Sequence, residues 1–249
     1  MIRSFIPTMM LAAALGFAGA AAAQTDAAAP TMARPAKTLQ VLTEAQVDPA
    51  LLLPPPFKDG SDEQKAELGD VQKAYKNRTP ERRAQAEWDD KHESVELFAA
   101  TLGPKFDLSK LPVTARLVAV VENEQSVTAN IAKRYFLRNR PWAMDSSLVP
   151  CDYKPDAKPL TSYPSGHATL GYSLGLVLAA LMPEKAQPVL TRARDYAYSR
   201  IVCADHYASD LEASHVLATE MVMLMMKDAK FAADFNAAKA ELKAAGLTG

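Results

Sequence analysis

The sequence has little net charge and, beyond its N-terminus, no apolar run long enough to cross a membrane. Its 28 basic and 29 acidic residues give a formal net charge of -1. Without an overall basic field or a basic arm, nucleic acid is not expected as a partner. The longest later apolar run, from about Ala168 to Met182, is interrupted by Gly171 and Gly175 and is shorter than the roughly 17 to 25 residues of a membrane helix. We therefore expect no stable insertion of this part of the chain into a membrane.

Cysteine is scarce, and the alternation of apolar and polar residues that marks strands is not sustained anywhere. Only Cys151 and Cys203 occur. In an exported protein such an even pair favours a disulfide, and two buried free thiols are the alternative. Without strand alternation or an internal repeat, the sequence predicts an all-α fold organised as a single-domain helical bundle.

The N-terminus has the pattern of a secretory signal peptide. The stretch MIRSFIPTMMLAAALGFAGAAAAQ combines Arg3, an apolar segment and an end made of small residues. We expect residues 1–23 to be removed by cleavage after Ala23, while an uncleaved membrane anchor is the alternative. Residues 24–60 are rich in proline and alanine and are predicted to be extended, and residues 61–249 are predicted to form the helical domain.

Helix start and stop signals recur along the predicted domain. Ser61 precedes an acidic first turn and Thr79 precedes a proline, which is typical of a helix N-terminus. A short helix in ESVELFAATLG is expected to end at Gly103. Apolar residues between 112 and 139 recur at helical spacing, so one long helix or two abutting helices are predicted there, ended by Pro141. A loop from 145 to 163 leads to predicted helices at about 167–182, 186–201 and 208–226 and to a terminal helix after Lys227.

The stretch TSYPSGHATLGYSLGL, residues 161–176, opens one of these helices with Pro-Ser-Gly-His. In the simplest interpretation Ser165 caps the helix, Gly166 eases the turn, and His167 is an ordinary first-turn residue. The exposed N–H groups of a helix start, reached through a Ser-Gly turn, also form a binding site for an anion. A histidine beside a bound phosphate is then in position to take part in its chemistry.

A cluster of basic residues lies upstream, in KRYFLRNRP. Lys133 and Arg140 are seven residues apart, nearly two helical turns, so we expect both on one helix face and both able to close on one anion. Arg134 and Arg138 of the same run are expected to point elsewhere. A solvated basic face is the alternative for the whole cluster.

A third cluster, SRIVCADHYASD, contains Arg200, His206 and Asp210. If the segment is helical, the carboxylate four residues after His206 holds one imidazole nitrogen and leaves the other free to attack. This is the arrangement of a histidine with an orienting acid that catalytic triads use. Asp205 is expected to face away from His206. Alone, such a His/Asp pair is more often a surface hydrogen bond.

Together the three clusters resemble the three-part signature of the type 2 phosphatidic acid phosphatase superfamily, K-x6-R-P, P-S-G-H and S-R-x5-H-x3-D. Every fixed position is matched: Lys133, Arg140, Pro141, Pro164, Ser165, Gly166, His167, Ser199, Arg200, His206 and Asp210. Within the superfamily the chain is similar to the class A bacterial non-specific acid phosphatases, through SYPSGH and the upstream LLLPPP. Thr161 and Ala168 depart from that class, which usually has glycine and threonine there.

The resemblance implies an enzyme that hydrolyses phosphate monoesters of broad range through a phosphohistidine intermediate. His206 would attack phosphorus, Asp210 would orient it, and His167 would protonate the departing alcohol. The phosphoryl oxygens would be bound by cationic side chains and by N–H groups of the helix start: Lys133, Arg140, Arg200, Ser165 and Gly166. No metal or other cofactor is implied, because the cationic side chains take its place. His92 and His215 lie outside the signature and are assigned no role.

The resemblance also implies the all-α fold of acid phosphatases and vanadium-dependent haloperoxidases, a periplasmic location, small-molecule phosphomonoesters as substrates and an optimum on the acid side of neutrality. A homo-oligomer is compatible with the sequence. Three alternatives stay open at this point. They are a vanadate-dependent haloperoxidase with the same basic cluster, a phosphatase of lipid phosphates or lipid pyrophosphates, and a non-catalytic phosphate-binding protein. The presence of both His167 and His206 argues against the last of these.

Overall fold

Helices make up the regular structure of the computed structural model, which describes Met1, residues 37–152 and residues 157–249. Within these ranges no strand is present, which confirms the predicted all-α fold. The predicted signal peptide lies outside the described residues. Among the described helices, none has both the length and the apolar character needed to span a bilayer.

The described residues form ten α-helices, some of them joined by short 3-10 turns. They are α1 (Pro49–Leu52), α2 (Asp62–Asn77), α3 (Pro80–Lys91), α4 (Ala99–Leu102), α5 (Pro112–Phe136), α6 (Pro141–Met144), α7 (Gly166–Leu181), α8 (Ala186–Val202), α9 (Ala208–Met225) and α10 (Ala229–Ala244). The positions of the last four helices confirm those predicted from the sequence.

Helix α7 lies at the centre of the bundle and packs against α5, α8 and α9. Most of its residues are buried, as expected for a helix that is apolar on all sides. The two glycines that interrupt its apolar run let α8 approach closely. A Cβ atom on Gly171 would lie 2.8 Å from Cδ1 of Tyr196, and one on Gly175 would lie 3.0 Å from Cβ of Ala193. Both glycines are therefore packing positions between α7 and α8.

Several helix ends form as their sequence signals predict. The Ser61 hydroxyl accepts a hydrogen bond from the Gln64 N–H, and the Thr79 hydroxyl accepts one from the Arg82 N–H, each at 3.2 Å. Gly103 follows α4 with a φ of 84°, which glycine adopts without strain. These three predicted helix boundaries are confirmed.

The end of α5 differs from the prediction. One continuous helix is present, but it stops at Phe136, because Leu137 adopts the left-handed conformation with a φ of 52°. The Leu137 N–H donates to the carbonyl oxygen of Lys133, which closes the helix end. Pro141 does not end this helix and instead occupies the first position of α6. The chain turns between the two helices, which takes Arg140 off the surface of α5.

The described part of the predicted extended segment is bound to α5. The N–H groups of Gln40 and Leu42 donate to the carboxylate of Glu124 at 2.6 and 3.0 Å, and Glu124 is fully buried. Residues 37–60 belong to the same compact unit as the rest of the bundle. A domain boundary at residue 60 stays a prediction.

A disulfide joins Cys151 to Cys203, as the sequence favours, with the two Cα atoms 5.0 Å apart. Cys203 directly follows α8, three residues after Arg200, and Cys151 lies in the loop between α6 and α7. The bridge therefore ties this loop to the end of α8.

We expect removal of the disulfide to destabilise the fold. A bridge across 52 residues restricts the unfolded chain, an effect of about 4 kcal/mol on the chain-entropy account. A Cys151→Ser/Cys203→Ser double variant should lose about 2 to 4 kcal/mol of free energy of unfolding, measured by urea denaturation. Reduced wild type is the control and should behave like the variant. Equal unfolding midpoints for oxidised and reduced wild type would contradict this expectation.

Candidate active site

The three clusters predicted from the sequence meet at the N-terminus of α7. A pocket of about 320 Å³ opens there. Its walls include residues of all three clusters and of the chain at the end of α3: Arg140, His167, Arg200, Asp205, Asp90 and Glu93. Charged side chains thus dominate the part of the pocket nearest to α7.

The turn before α7 uses some of its N–H groups inside the protein and leaves others available. The Ser165 hydroxyl accepts a hydrogen bond from the Ala168 N–H at 3.3 Å, which confirms the simple interpretation of this serine as a cap. The Ser165 N–H donates to the Ser214 hydroxyl at 2.9 Å. It is therefore not available to bind an anion, contrary to the expectation from the sequence. Among the described residues, the N–H groups of Gly166 and His167 have no acceptor. Since they lie at the positive end of a 16-residue helix, they form an electropositive edge of the turn, which suits an anion.

Lys133 lies in the last turn of α5, and its ammonium group reaches the turn before α7. The Nζ atom is 3.4 Å from the position that a Cβ atom on Gly166 would occupy, which is an ordinary van der Waals distance. Burial lowers the pKa of Lys133 to about 8, and the positive charge of Arg140 adds to the effect. Lys133 therefore brings a cation to the start of α7.

Two arginines are held in the pocket by carboxylates. Arg140 donates from Nη1 to the Asp205 carboxylate at 3.1 Å, and Arg200 donates from Nη2 to the same carboxylate at 2.5 Å. The other terminal nitrogen of Arg200, Nη1, lies 2.5 Å from the carboxylate of Asp90. Because these positive charges lie close together and away from water, the carboxylates offset a repulsion that would otherwise oppose folding.

Lys133 and Arg140 share the site, but not for the reason that their spacing suggested. The prediction of one helical face is wrong, because α5 ends between them and a turn carries Arg140 to the pocket. For Asp205 the sequence predicts a carboxylate turned away from His206. The structure shows that this carboxylate lies inside the site, between the two arginines.

His206 lies in the turn before α9 and is 1% exposed. Its Nδ1 atom is 3.3 Å from Oδ2 of Asp210, so the predicted contact is present, although it spans a helix start and does not run along a helix. The same oxygen accepts the Tyr207 N–H at 2.9 Å and the Ser162 hydroxyl at 2.6 Å. When Nδ1 donates to Asp210, Nε2 is the nitrogen that carries the free electron pair.

Arg138, which the sequence predicts to point away from the site, lies directly behind Asp210. Its guanidinium is buried and donates from Nη1 to Oδ1 of Asp210 at 2.6 Å and from Nη2 to Glu67 at 2.7 Å. Arg138 thus points away from the pocket, as expected, but it points into the protein, because α5 ends before it, in the turn that begins at Leu137. Arg134, still on α5, is exposed.

His167 is in the first turn of α7 and contacts the chain at the end of α3. Its Nε2 atom is 3.0 Å from the carbonyl oxygen of Asp90, and its Nδ1 atom is 3.7 Å from Oε1 of Glu93. Neither acidic residue is predicted from the sequence, because nothing in WDDKHES distinguishes an acid that faces a pocket from a solvated one. Their proximity to a predicted helix end is the only signal that the sequence carries.

The other two histidines do not line the pocket. His92 stacks on Trp88 with ring centroids 3.8 Å apart, and His215 stacks on Tyr172 at 4.5 Å. In the described ranges, no group of three or more His, Cys, Asp or Glu side chains is arranged to hold a metal ion.

Burial lowers the pKa of both histidines of the site well below the ordinary value of 6.5. For His206 the positive charges of Arg140 and Lys133 lower the pKa further, and for His167 the main charged neighbour is Arg200. From the sequence alone it is not possible to say whether these effects outweigh the nearby carboxylates, which raise the pKa of a histidine. In the folded protein the balance favours neutral imidazoles, the form of histidine that acts as a nucleophile.

Comparison with known proteins gives a family for this arrangement. Residues 114–233 match the family model described as the PAP2 superfamily. The chain is 34% identical over 151 residues to the acid phosphatase of Zymomonas mobilis subsp. mobilis. It is 28% identical over 206 residues to the non-specific acid phosphatase of Providencia stuartii, and 33% identical over 133 residues to that of Salmonella typhimurium.

The aligned shares of the chains differ among these relatives. The Zymomonas match covers 59% of this chain and 56% of that protein, and the Salmonella match covers 51% and 52%. The Providencia match covers 78% of this chain and 81% of its relative. The chain thus spans little more than half the length of two of these proteins. The matched family region includes the site residues from Lys133 to Asp210, whereas Asp90 and Glu93 precede it.

The low pKa values of the two histidines predict a pH dependence of folding. In the unfolded chain both histidines take up protons near pH 6.5, whereas in the folded protein they stay neutral to lower pH. Below pH 6.5 the unfolded state binds more protons than the folded state. The free energy of unfolding should therefore decrease as the pH is lowered, by up to about 1.4 kcal/mol per pH unit for each histidine. Urea denaturation between about pH 7.5 and 5.5 should show this slope, reduced by about half in His206→Asn. An unchanged slope in that variant would contradict the burial of a neutral His206.

Proposed function

We infer, since residues 114–233 match the PAP2 superfamily, that this chain belongs to that superfamily and is an acid phosphatase which hydrolyses phosphate monoesters of broad range. One observation carries the proposal: a buried histidine held by a carboxylate lies among three cationic side chains at the N-terminus of a helix. The acid phosphatases to which the chain is similar support it. A broad substrate range follows if recognition rests on the phosphoryl group, because the groups assembled here are suited to phosphate and not to a particular alcohol.

In the proposed reaction His206 attacks phosphorus through Nε2. The new N–P bond forms as the P–O bond to the alcohol breaks, which leaves a phosphohistidine. Asp210, 3.3 Å from Nδ1, holds the ring and stabilises the positive charge that develops on it. Water then attacks the phosphohistidine, the N–P bond breaks, and orthophosphate is released.

His167 is the proposed proton donor to the departing alcohol. In the second step the same imidazole takes a proton from the attacking water, as microscopic reversibility requires. Its ring is held by the Asp90 carbonyl oxygen at 3.0 Å and lies 3.7 Å from the Glu93 carboxylate. The negative charge of a bound phosphoryl group raises the pKa of a nearby histidine, against the effect of burial, and so favours the protonated form when substrate is present.

The proposed binding groups for the phosphoryl oxygens are three cationic side chains and two backbone N–H groups: Lys133, Arg140, Arg200, and the N–H groups of Gly166 and His167. Groups that are fixed in place before the substrate arrives stabilise the charge of the transition state without reorganising. Ser165 contributes through its cap, which holds the turn in shape. The proposal assigns no step to a metal ion, because these cations neutralise the phosphoryl oxygens.

We also propose that the protein acts on small-molecule phosphomonoesters after export to the periplasm. The signal-peptide pattern of the first 23 residues supports export. The disulfide supports it independently, because disulfides persist in oxidising compartments. The low pKa of His206 keeps the nucleophile neutral in mild acid, which supports an optimum on the acid side of neutrality.

The proposed activity is tested by orthophosphate release from a panel of 4-nitrophenyl phosphate, sugar phosphates, nucleotides and a lipid phosphate. We expect the purified protein to hydrolyse the small monoesters. Halide oxidation by the vanadate-loaded protein with peroxide, without ester hydrolysis, would instead identify a haloperoxidase. Phosphate binding without turnover would identify a binding protein.

The two histidines should respond differently to substitution. His206→Ala removes the nucleophile, so turnover of every ester should be lost, and no phosphoenzyme should be trapped by a rapid quench in denaturant at alkaline pH, where the N–P bond of phosphohistidine is stable. His167→Ala should retain turnover of 4-nitrophenyl phosphate, whose leaving group needs no proton, and should lose about 100-fold or more on alkyl phosphates. His215→Ala, outside the pocket, is the matched control and should keep wild-type rates. A phosphoenzyme in the His206→Ala protein would show that another residue is the nucleophile.

A further inference from the structure

The residues behind His206 form a buried network of charges that connects α2 to α9. Arg138 is at its centre, with a side chain that is 1% exposed. It donates to Asp210 at 2.6 Å, to Glu67 of α2 at 2.7 Å, and to the Ser209 hydroxyl at 2.7 Å. Glu67 in turn accepts the N–H and the hydroxyl of Ser209 at 2.7 and 2.9 Å. Arg138 binds the oxygen of Asp210 that does not face His206, so it lies behind the nucleophile, and Glu67 lies on the far side of Arg138.

The two oxygens of the Asp210 carboxylate have different partners. Oδ2 faces Nδ1 of His206 and accepts from Ser162 and from the Tyr207 N–H. Oδ1 accepts from Arg138. Rotation of the carboxylate would break this short, charge-assisted hydrogen bond. Arg138 therefore determines which oxygen faces the imidazole, and at what angle.

Arg138 also sets a positive charge against the negative charge of Asp210. A carboxylate in contact with an imidazole favours the protonated ring. A guanidinium bound to the same carboxylate reduces that influence, because the imidazole then faces a pair that is close to neutral. Glu67, bound at the other terminal nitrogen of Arg138, offsets part of the arginine's own charge. The net field at His206 thus depends on Arg138, which binds Asp210, and on Glu67, which binds Arg138.

We propose that Arg138 is a positioning residue for the nucleophile, which fixes the Asp210 carboxylate against His206 and offsets its negative charge. The kinetic part of this role rests on the proposed phosphatase function. The effect on the protonation of His206 follows from the geometry alone and is measurable without any substrate.

The charged and titratable groups that face His206 come from every element around it. They are Lys133 of α5, Arg140 before α6, His167 of α7, Arg200 of α8, Asp205 in the preceding turn and Asp210 of α9. A test of Arg138 must leave all six in place. Substitutions at Arg138 and Glu67 meet this condition.

The direct test is a pH titration of His206 by NMR in the protein without substrate. The chain has 4 histidines, so ring signals are assignable by single substitutions. Arg138→Met removes the charge and the donors at similar length, and the titration midpoint of His206 should rise by about one pH unit. Glu67→Gln leaves the charge of Arg138 less offset, and the midpoint should fall. Arg134→Met removes an exposed arginine of the same run, and the midpoint should not move.

Kinetics with 4-nitrophenyl phosphate supply a second readout. Arg138→Met should lower kcat by about 10- to 100-fold, because a misaligned nucleophile reacts slowly, while KM should stay within about twofold. The acid limb of kcat/KM against pH should move to higher pH with the His206 midpoint. Arg138→Lys keeps the charge and one donor, so it should recover a large part of kcat and of the wild-type limb.

The outcomes separate this role from a merely structural one. An Arg138→Met protein in which His206 titrates as in wild type overturns the proposal. A rise of the His206 midpoint in Glu67→Gln also overturns it, because a general loosening of the fold would shift the midpoint in the same direction in both variants. If Arg138→Met does not fold, a His206 midpoint that fails to fall in Glu67→Gln overturns it. A wild type that hydrolyses no phosphomonoester refutes the proposed function, and the NMR titration still decides the role of Arg138.

Discussion

Three cations at the N-terminus of one helix, of which Arg200 is buried and Lys133 and Arg140 are partly exposed, are the constraint on which the site depends. Lys133, Arg140 and Arg200 lie where the dipole of α7 is also positive, so the folded chain holds like charges in a region of low dielectric. Such an arrangement is stable only with carboxylates at hydrogen-bonding distance. Asp90 and Asp205 meet this need, because α3 and the turn after α8 deliver them to the arginines.

The packing around α7 follows from the same constraint. A helix whose N-terminus faces a charged pocket must be held rigidly, and α7 is buried against α5, α8 and α9. Gly171 and Gly175 bring α8 close enough for Tyr196 and Ala193 to fill the space beside them. Since α8 also carries Arg200, close packing of the two helices sets the distance between that arginine and the helix start. The disulfide at Cys203 then anchors the end of α8 to the loop over the pocket.

The two histidines of the site differ in what surrounds them, and this difference fits the separate steps that we propose for them. His206 is enclosed in a network whose hydrogen bonds fix one ring nitrogen, which is what a nucleophile requires. His167 meets a backbone carbonyl on one side and the half-exposed Glu93 on the other. His167 therefore lines the pocket, where a proton donor can reach both a departing alcohol and the water that replaces it.

The sequence by itself determined the features that depend on neighbours a few residues apart. Helix caps, the helices after residue 166 and the contact of His206 with Asp210 are of this kind, since a turn or a helix fixes geometry over three or four residues. Only the tertiary structure decided the partners that come from distant segments. The bonds of Arg138 to Asp210 and Glu67 join residues 72 and 71 positions apart, and no local periodicity encodes them. The left-handed turn at Leu137 directs Arg138 into the protein, and local spacing does not reveal this turn. The carboxylates that bind Arg138 come from α2 and α9, which pack around it.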